Sequence, residues 1–491
     1  HSNPIVVGPP NGNAAKMGDG YGGEGGFLQE WQDRRKVLYV GANDGMIHCF
    51  DTLTGEELWA FIPYNLLPKL RDMWAIDQTT KKRYFARNVY VDGSPVSADV
   101  FIDADGDGSK EWRTILVCGQ GSGKGSSPGG GINHYFALDI TNPYEPQPLW
   151  EFTDNTMGET WSVPAIGKVD KDGEDTWVAF MGSGYDNDPI NTVGNYFYAV
   201  DMEDGTSFFS FEATDVDTTD NFPNIPNAIP GSPSLIDTDQ NGFADRVYVG
   251  DLDGRIWKVD VSSSFQVTGN HTSWDSEVEA IYTDSNNYPI ATRPTVWINP
   301  ISTGTIPRLY FGTGGDDAAP SYATYSFIAL LDSDTPEVEW YLGDSSVLNL
   351  DEAKDMGDLA VGEKVWADPV VANYIVYFST LAGSIESVDP CENLAEIGKL
   401  YGRFVFVNVQ TIAGGVVGGT ALRTSSGTVP SLGLASKTRS AVTLGETDRI
   451  QNVRKREVYI QGYDSTIQKL EQPIGALLKV KSWREIYRII K

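Results

Sequence analysis

An all-β architecture follows from three features of the chain: short runs of alternating apolar residues, turn pairs such as Asp-Gly and Thr-Gly between them, and recurrence of this pattern about seven times. The composition, with 52 Gly, 26 Pro, 13 Trp and 23 Tyr in 491 residues, is that of a turn-rich, aromatic β protein. A single four-stranded unit cannot bury both of its faces, so repeated units are expected to stack radially. The prediction is a modified seven-bladed β-propeller with blade insertions, filling residues 1–491 as a single domain.

In chain order, H-S-N-P-I-V-V-G at 1–8 reads as a short strand that is expected to complete the last blade and close the ring, and the Gly/Asn-rich stretch to Gly26 reads as a loop. Val37–Trp59 is the clearest repeat: strand, Asp-Gly turn, strand, Thr-Gly turn, strand. Variants follow at His134–Trp150, Asn195–Phe211, Arg246–Val261, Arg308–Trp340, Ile375–Asp389 and Val458–Leu470, and each ends in an apolar strand followed by Asp or a turn. Their spacing of roughly 50 to 80 residues exceeds that of compact propeller repeats, which implies insertions. These are placed at about 64–90, 119–131 and 413–445. In the first, Leu66, Leu67, Leu70 and Trp74 predict a covering surface helix between Tyr64 and Thr80. The second, G-Q-G-S-G-K-G-S-S-P-G-G-G, lacks the Ser/Thr after Lys124 that a phosphate loop needs and reads as a flexible hairpin tip. The third, rich in Gly, Ser, Thr and Val, reads as a long mobile insertion.

A net charge of −30 argues against nucleic acid or an anionic membrane as partner, since both require Lys/Arg surfaces. It favours solubility and cation binding. No run of about 18 apolar residues occurs, so no helical membrane span is expected. The first residue is His, which suggests a processed or truncated piece without its signal peptide. Cys49, Cys118 and Cys391 are too few for a disulfide framework and lack metal spacing; they read as small buried hydrophobes, with one pairing left open.

The stretch I-D-T-D-Q-N-G-F-A-D-R-V-Y-V-G-D at 236–251 carries the strongest chemistry. Asp237, Asp239 and Asn241 stand at positions 1, 3 and 5 of a tight loop, Gly242 at 6, Phe243 at 7 with its backbone carbonyl, and Asp245 at 9. Alternate residues of such a turn converge on one point, and the glycine permits the bend. Carboxylates about 4 Å apart repel by roughly 4 kcal/mol per pair at an effective dielectric of about 20, so the cluster needs a counter-charge, and Ca2+ is its natural occupant. Tyr248 at position 12, in place of a bidentate Glu, and strands on both flanks set the loop apart from an EF-hand. A calcium-binding hairpin loop between strands is therefore expected.

A second acidic loop places Asp103, Asp105, Asp107 and Glu111 at positions 1, 3, 5 and 9, a weaker candidate for a second calcium. The run Asp170-Lys-Asp172-Gly-Glu174-Asp175 has Val178 at position 9 and is a poor third. The four His, at 1, 48, 134 and 271, show no metal spacing, and neither G-x-S-x-G nor H-E-x-x-H occurs, so no catalytic residue and no enzyme activity are expected. The pattern D-G-x-x-x-x-x-D-x-x-T-G-E-E-L-W resembles pyrroloquinoline quinone propellers but lacks their adjacent Cys pair, which points to shared architecture. A quinone-dependent dehydrogenase and a generic carbohydrate-binding propeller are the competing functional classes.

Nine segments in order resemble one family. They are H-S-N-P-I-V-V-G at 1–8, L-Y-V-G-A-N-D-G-M-I-H-C-F-D at 38–51, Y-V-D-G-S-P at 90–95, W-R-T-I-L-V-C-G at 112–119, Y-F-A-L-D-I-T at 135–141, D-R-V-Y-V-G-D-L-D-G-R-I-W-K-V-D at 245–260, P-I-A-T-R-P at 289–294, L-Y-F-G-T-G at 309–314 and S-W-R-E-I at 482–486. As a set they resemble the C-terminal propeller of the PilC/PilY family of type IV pilus biogenesis and tip-adhesin proteins. The resemblance implies a calcium-binding protein of the cell surface or pilus tip, reached through periplasm and outer membrane. It would act in pilus assembly, extension against retraction, twitching motility and adhesion. The implied partners are minor pilins or a pilus tip complex, and its own N-terminal half. The family's calcium loop transfers onto Asp237, Asp239, Asn241, Phe243 and Asp245. Adhesion through the N-terminal region of many relatives is not expected of this stretch of sequence, and no Arg-Gly-Asp tripeptide occurs in it.

Overall fold

The structure is a computed structural model. It describes residues 2–18, 20–76, 79–85, 90–123, 133–185, 193–213, 227–269, 271–299, 306–316, 319–343, 354–355, 357, 359–372, 375–382 and 398–405, together with the backbone strands 423–424, 427–428, 442–446, 454–461 and 467–474. Two compact units divide it: residues 1–309 with 331–337 and 346–349 form the first, and 310–330, 338–345 and 350–491 the second.

The first unit contains, among its described residues, four antiparallel four-stranded sheets, each a meander whose strands neighbour one another in chain order. The first holds β1 (Ile5–Val7), β2 (Val37–Gly41), β3 (Ile47–Asp51) and β4 (Glu57–Phe61). The second holds β5 (Val96–Ile102), β6 (Glu111–Gly119), β7 (Tyr135–Asp139) and β8 (Gln147–Phe152). The third holds β9 (Ala165–Lys171), β10 (Glu174–Gly182), β11 (Tyr196–Asp201) and β12 (Ser207–Glu212). The fourth holds β13 (Ser234–Ile236), β14 (Arg246–Gly250), β15 (Arg255–Asp260) and β16 (Val278–Thr283).

Pleat alternation makes the sheets stack. On the second sheet, Leu116, Cys118, Phe136 and Leu138 pack with Val37, Tyr39, Ile47 and Cys49 of the first. The residues between them, Ile115, Val117, Tyr135 and Ala137, pack on the opposite face with Trp177, Ala179, Met181 and Tyr198 of the third. The third repeats the device, sending Val178, Phe180, Phe197 and Ala199 toward Val247, Val249 and Val259 of the fourth. Strands β7 and β10 therefore read as near-continuous apolar runs, because both of their faces are covered. Trp177 meets Trp112 edge-on at 5.8 Å, which places this tryptophan between two sheets.

The Asp that closes each repeat has a defined job. Asp51, Asp139, Asp201 and Asp260 end the third strand of each sheet, and each accepts a backbone N–H two residues on, from Leu53, Thr141, Glu203 and Ser262. Each also meets a cation: Arg35 at 2.6 Å, Arg113 at 3.5 Å, Lys171 at 3.2 Å and Arg246 at 3.9 Å. One carboxylate thus caps the turn and ties it to a basic side chain on a strand of the same sheet or, for Arg35, just before one.

Several expectations are corrected. The N-terminal strand does not complete the last repeat: β1 pairs antiparallel with β2, Ile5 opposite Tyr39 and Val7 opposite Val37, so it is an edge strand of the first sheet. Tyr64–Met73 winds as a 3-10 helix, with Pro68 inside it removing a backbone donor, and a hairpin of Trp74–Ile76 with Arg83–Phe85 follows. The start of the Gly-rich segment is not a flexible tip. Gly119 is buried so tightly that a Cβ would lie 2.3 Å from the Thr160 carbonyl. Residues 124–132 and most of 413–445 lie outside the described residues. Cys49 and Cys118 are buried free thiols, and burial pushes the Cys49 thiol up to about 12. Cys391 lies outside the described residues.

Arg308–Gly312, Ser326–Leu331 and Glu337–Gly343, most of whose residues fall in the second unit, are neighbours in one sheet. Ile375–Ala382 is the central strand of another, flanked by Glu363–Val365 and Val370–Ala372 on one side and Gly398–Phe404 on the other. Phe327 stacks on Phe378 at 3.6 Å, and Phe378 on Tyr401 at 4.9 Å. Val442–Glu446, Arg454–Gln461 and Ile467–Ile474 form a last three-stranded sheet. Strands occur among the described residues of each repeat expected from the sequence, while 383–389 and 462–466 lie outside the described residues. No helix among the described residues is long and apolar enough to cross a membrane.

Candidate metal centre

The 237–245 loop joins β13 to β14, paired from Ser234 opposite Tyr248 to Ile236 opposite Arg246. Its ends are fixed by the sheet, and Asp245 donates its N–H to the Ile236 carbonyl at 2.8 Å. Between them the chain turns through two left-handed residues, Gln240 (φ 64°) and Gly242 (φ 95°). At Gly242 a Cβ would also lie 2.5 Å from the carbonyl oxygen of Lys16, so close approach as well as φ demands glycine.

Asp237, Asp239 and Asp245 converge: one carboxylate oxygen from each lies within 4.8 Å of the others. Oxygens at 2.3–2.6 Å on opposite sides of a calcium ion stand about 5 Å apart, so this spread suits a shared ion. Asn241 belongs to the same cluster, its amide nitrogen donating to Asp239 at 3.0 Å and its side-chain oxygen accepting the Phe243 N–H at 2.7 Å. The Phe243 ring is turned to Lys168, whose ammonium sits 4.0 Å from its centroid. All side-chain donors on the predicted positions are hard oxygens, as a group 2 cation requires, and the residues present fit such an ion.

Asp245 is the most enclosed of the three, at 7 % exposure. Its Oδ2 accepts the Thr238 and Asp239 N–H groups, at 2.5 and 3.3 Å, and the Thr238 hydroxyl. Arg246 next to it is anchored on buried Asp332, 2.6 Å away, which also accepts from Tyr248 at 2.7 Å. The strand that presents Asp245 is thus pinned from behind.

Two participants escaped sequence reasoning. Thr238 lay inside the loop, but its hydroxyl carries no signature of an acceptor seven residues on. Lys16, 221 residues away in sequence, places its ammonium 2.8 Å from Asp237 Oδ2. Burial pushes the Asp237 carboxyl up, but the Lys16 ammonium and the Gly242 N–H outweigh this and hold it below the usual carboxylate range.

The second acidic loop joins β5 to β6. Asp103, Asp105 and Asp107 again come within 4.8 Å of one another. Glu111, expected as the position-9 ligand, does not join them: it opens β6, and its carboxylate is bonded to the Arg113 guanidinium. The third run is a two-residue hairpin turn, Lys171 pairing with Glu174 across Asp172 and Gly173, and Lys168 draws Asp175 away to an ion pair.

Comparison with known proteins bears on the same region. Residues 13–282, which include both acidic loops and Lys16, match the family model described as the PilY1 beta-propeller domain. The chain is 33% identical over 267 residues to type IV pilus biogenesis factor PilY1 of Pseudomonas aeruginosa, an alignment covering 53% of this chain and 20% of that protein. A PilY1 homolog of Xylella fastidiosa is 32% identical over 323 residues, covering 64% of this chain and 22% of the relative. The chain spans about a fifth of the length of these relatives. The crystal structure of the Pseudomonas aeruginosa PilY1 C-terminal domain superposes with a TM-score of 0.62 at 21% identity, covering 96% of this chain and 99% of that one, a likeness of fold. With its family match spanning more than half of the chain and its stacked four-stranded sheets, this protein belongs to the PilY1 β-propeller domain family.

Proposed function

We propose that this chain is a calcium-binding propeller of a type IV pilus biogenesis factor, acting at the cell surface or pilus tip on minor pilins or a tip complex. It would serve pilus assembly, extension against retraction, and adhesion. The observation that carries the reading is the convergence of Asp237, Asp239 and Asp245 on a strand-flanked loop within the family-matched interval. A bound cation supplies positive charge at that point. The chain's part is to hold three carboxylates against their mutual repulsion, which the sheet ends and the Thr238 and Arg246 bonds do.

The loop would then be an ordering switch rather than a folding site. Extracellular modules bind calcium with dissociation constants of about 10⁻⁴ to 10⁻³ M, and at ten times that concentration linkage adds roughly 1.4 kcal/mol to the ordered form. That biases a loop between two states without deciding whether the sheets fold. In the same reading the seven strand-bearing repeats close as one ring, with the 103–107 loop a weaker second site. Calorimetric titration with calcium tests the proposal: saturable binding in the millimolar range or tighter is expected, lost in Asp245→Ala with the β-sheet circular dichroism kept. A variant binding as tightly as the parent would refute the ligand assignment.

A further inference from the structure

We propose that Lys16 is an internal competitor for the cation position of the 237–245 loop, so that a divalent ion and the docked 13–17 segment oppose one another at Asp237. This rests on the reading of the loop as a divalent-cation site, and adds how that site is regulated.

Lys16 lies in a short helix, Ala14–Met17, whose N-cap Asn13 accepts the Ala15 N–H at 3.1 Å. The helix is held against the second sheet: Met17 packs on the cluster containing Val100 and Trp112. Buried Tyr21 accepts the Gly12 N–H at 2.8 Å and donates to Asp99 on β5 at 2.6 Å. From there the Lys16 side chain reaches the loop of the fourth sheet, and its carbonyl faces Gly242. The segment therefore touches the loop twice, through a charge and through backbone.

Competition follows from the lone pairs. Asp237 Oδ2 accepts both the Lys16 ammonium at 2.8 Å and the Gly242 N–H at 3.0 Å, and Oδ1 accepts the Asn241 N–H at 3.1 Å. Oδ2 with two donors in place has no lone pair left for a metal, so a divalent ion must displace the ammonium there or approach through Oδ1 beside it and be repelled by it. The lysine side chain is 33 % exposed and Asp237 18 %, so the pair is partly hydrated and can be exchanged. Lys16 stabilises the acidic loop when calcium is scarce and weakens calcium's hold when it is abundant. Coupling is reciprocal, so calcium must loosen 13–17 by the factor by which that segment weakens calcium.

The test uses the full chain, Lys16→Met, which keeps an apolar stem and removes the charge, and Lys16→Arg, which keeps the charge. Calcium titration by calorimetry should show Lys16→Met binding roughly five- to tenfold more tightly than the parent, and Lys16→Arg within about twofold of it. Hydrogen exchange at residues 13–17 of the parent should quicken on saturation with calcium. If Lys16→Met binds calcium no more tightly than a parent that does bind, or if exchange at 13–17 slows, the competition is overturned and the cation reading survives. If neither chain binds calcium at 10 mM, the cation reading itself falls, and this inference with it.

Discussion

The loops at 237–245 and 103–111 share a ligand spacing and differ in what the ninth residue does. In both, Asp residues at positions 1, 3 and 5 or at 1, 3 and 9 are gathered within 4.8 Å. In the first, position 9 precedes the strand, and short Asp245 folds back to accept the Thr238 and Asp239 N–H groups. In the second, position 9 is the first residue of β6, so the pleat aims Glu111 along the sheet, where Arg113 holds it. The first loop also has a lysine 2.8 Å from Asp237, while the second has Glu203, which accepts the Asp103 N–H at 3.1 Å, and a more distant Arg113, 3.9 Å from Asp105. Spacing alone assembles three carboxylates; the strand boundary and the neighbouring sheet decide whether a fourth side chain closes the site.

The largest expected effect on calcium binding, and the most direct way to break this comparison, is at Asp245. Asp245→Ala should weaken calcium binding by at least about tenfold, since a charged ligand matters no less than an outer-shell one. It should also lower metal-free stability by about 1 kcal/mol: two backbone donors lose their acceptor, and relief of like-charge repulsion offsets part of that. Asp107→Ala, which removes an exposed carboxylate bonded to the Ser109 N–H, should stay within about 0.5 kcal/mol in thermal unfolding. Equal losses in the two would show that position 9 is not what separates the loops.

Next come the glycines. Gly242→Ala must adopt φ 95° and push a Cβ against the Lys16 carbonyl at 2.5 Å, for a loss of about 2–3 kcal/mol. Gly108→Ala faces only its φ of 89°, with nothing within 4 Å, for about 1 kcal/mol. Glu111→Gln sharpens the contrast further. Because Arg113 already holds the carboxylate, calcium uptake by the second loop should change by less than about twofold.

What the sequence disclosed follows the range of each interaction. Alternation within β2 and β3 and the Asp-Gly and Thr-Gly turns that follow them are local, so these strands were legible before the structure. The recurring Asp was visible as a pattern, but its partners Arg35, Arg113, Lys171 and Arg246 were not, because nothing local marks which cation reaches it. The gathering of Asp237, Asp239 and Asp245 was legible for the same reason as the turns, the loop being nine residues long. Lys16 was invisible at a separation of 221 residues. The pairing of β1 with β2 skips a 29-residue segment and was assigned to the wrong repeat, since an isolated V-V strand fits any open edge. The 3-10 helix shows Pro68 prevailing over an apolar pattern that suited an α-helix.

The smallest expected effect concerns protons in the absence of metal. The folded-state pKa of Asp237 lies below its ordinary value, because the Lys16 ammonium and the Gly242 N–H outweigh burial. A carboxyl of this kind binds its proton less readily in the folded chain than in the unfolded one. Its stabilising contribution is therefore present above the unfolded value of about 4 and disappears as pH falls through the folded value. The pair is partly exposed, which limits that contribution to less than about 1 kcal/mol. Melting temperatures without calcium between pH 3 and 6 should fall less steeply on the acid side for Asp237→Asn than for the parent, and Lys16→Met should share the shallower slope. If Lys16→Met keeps the parent's slope, the backbone donors alone depress the carboxyl, and the lysine at the mouth of the first loop ceases to distinguish it from the second.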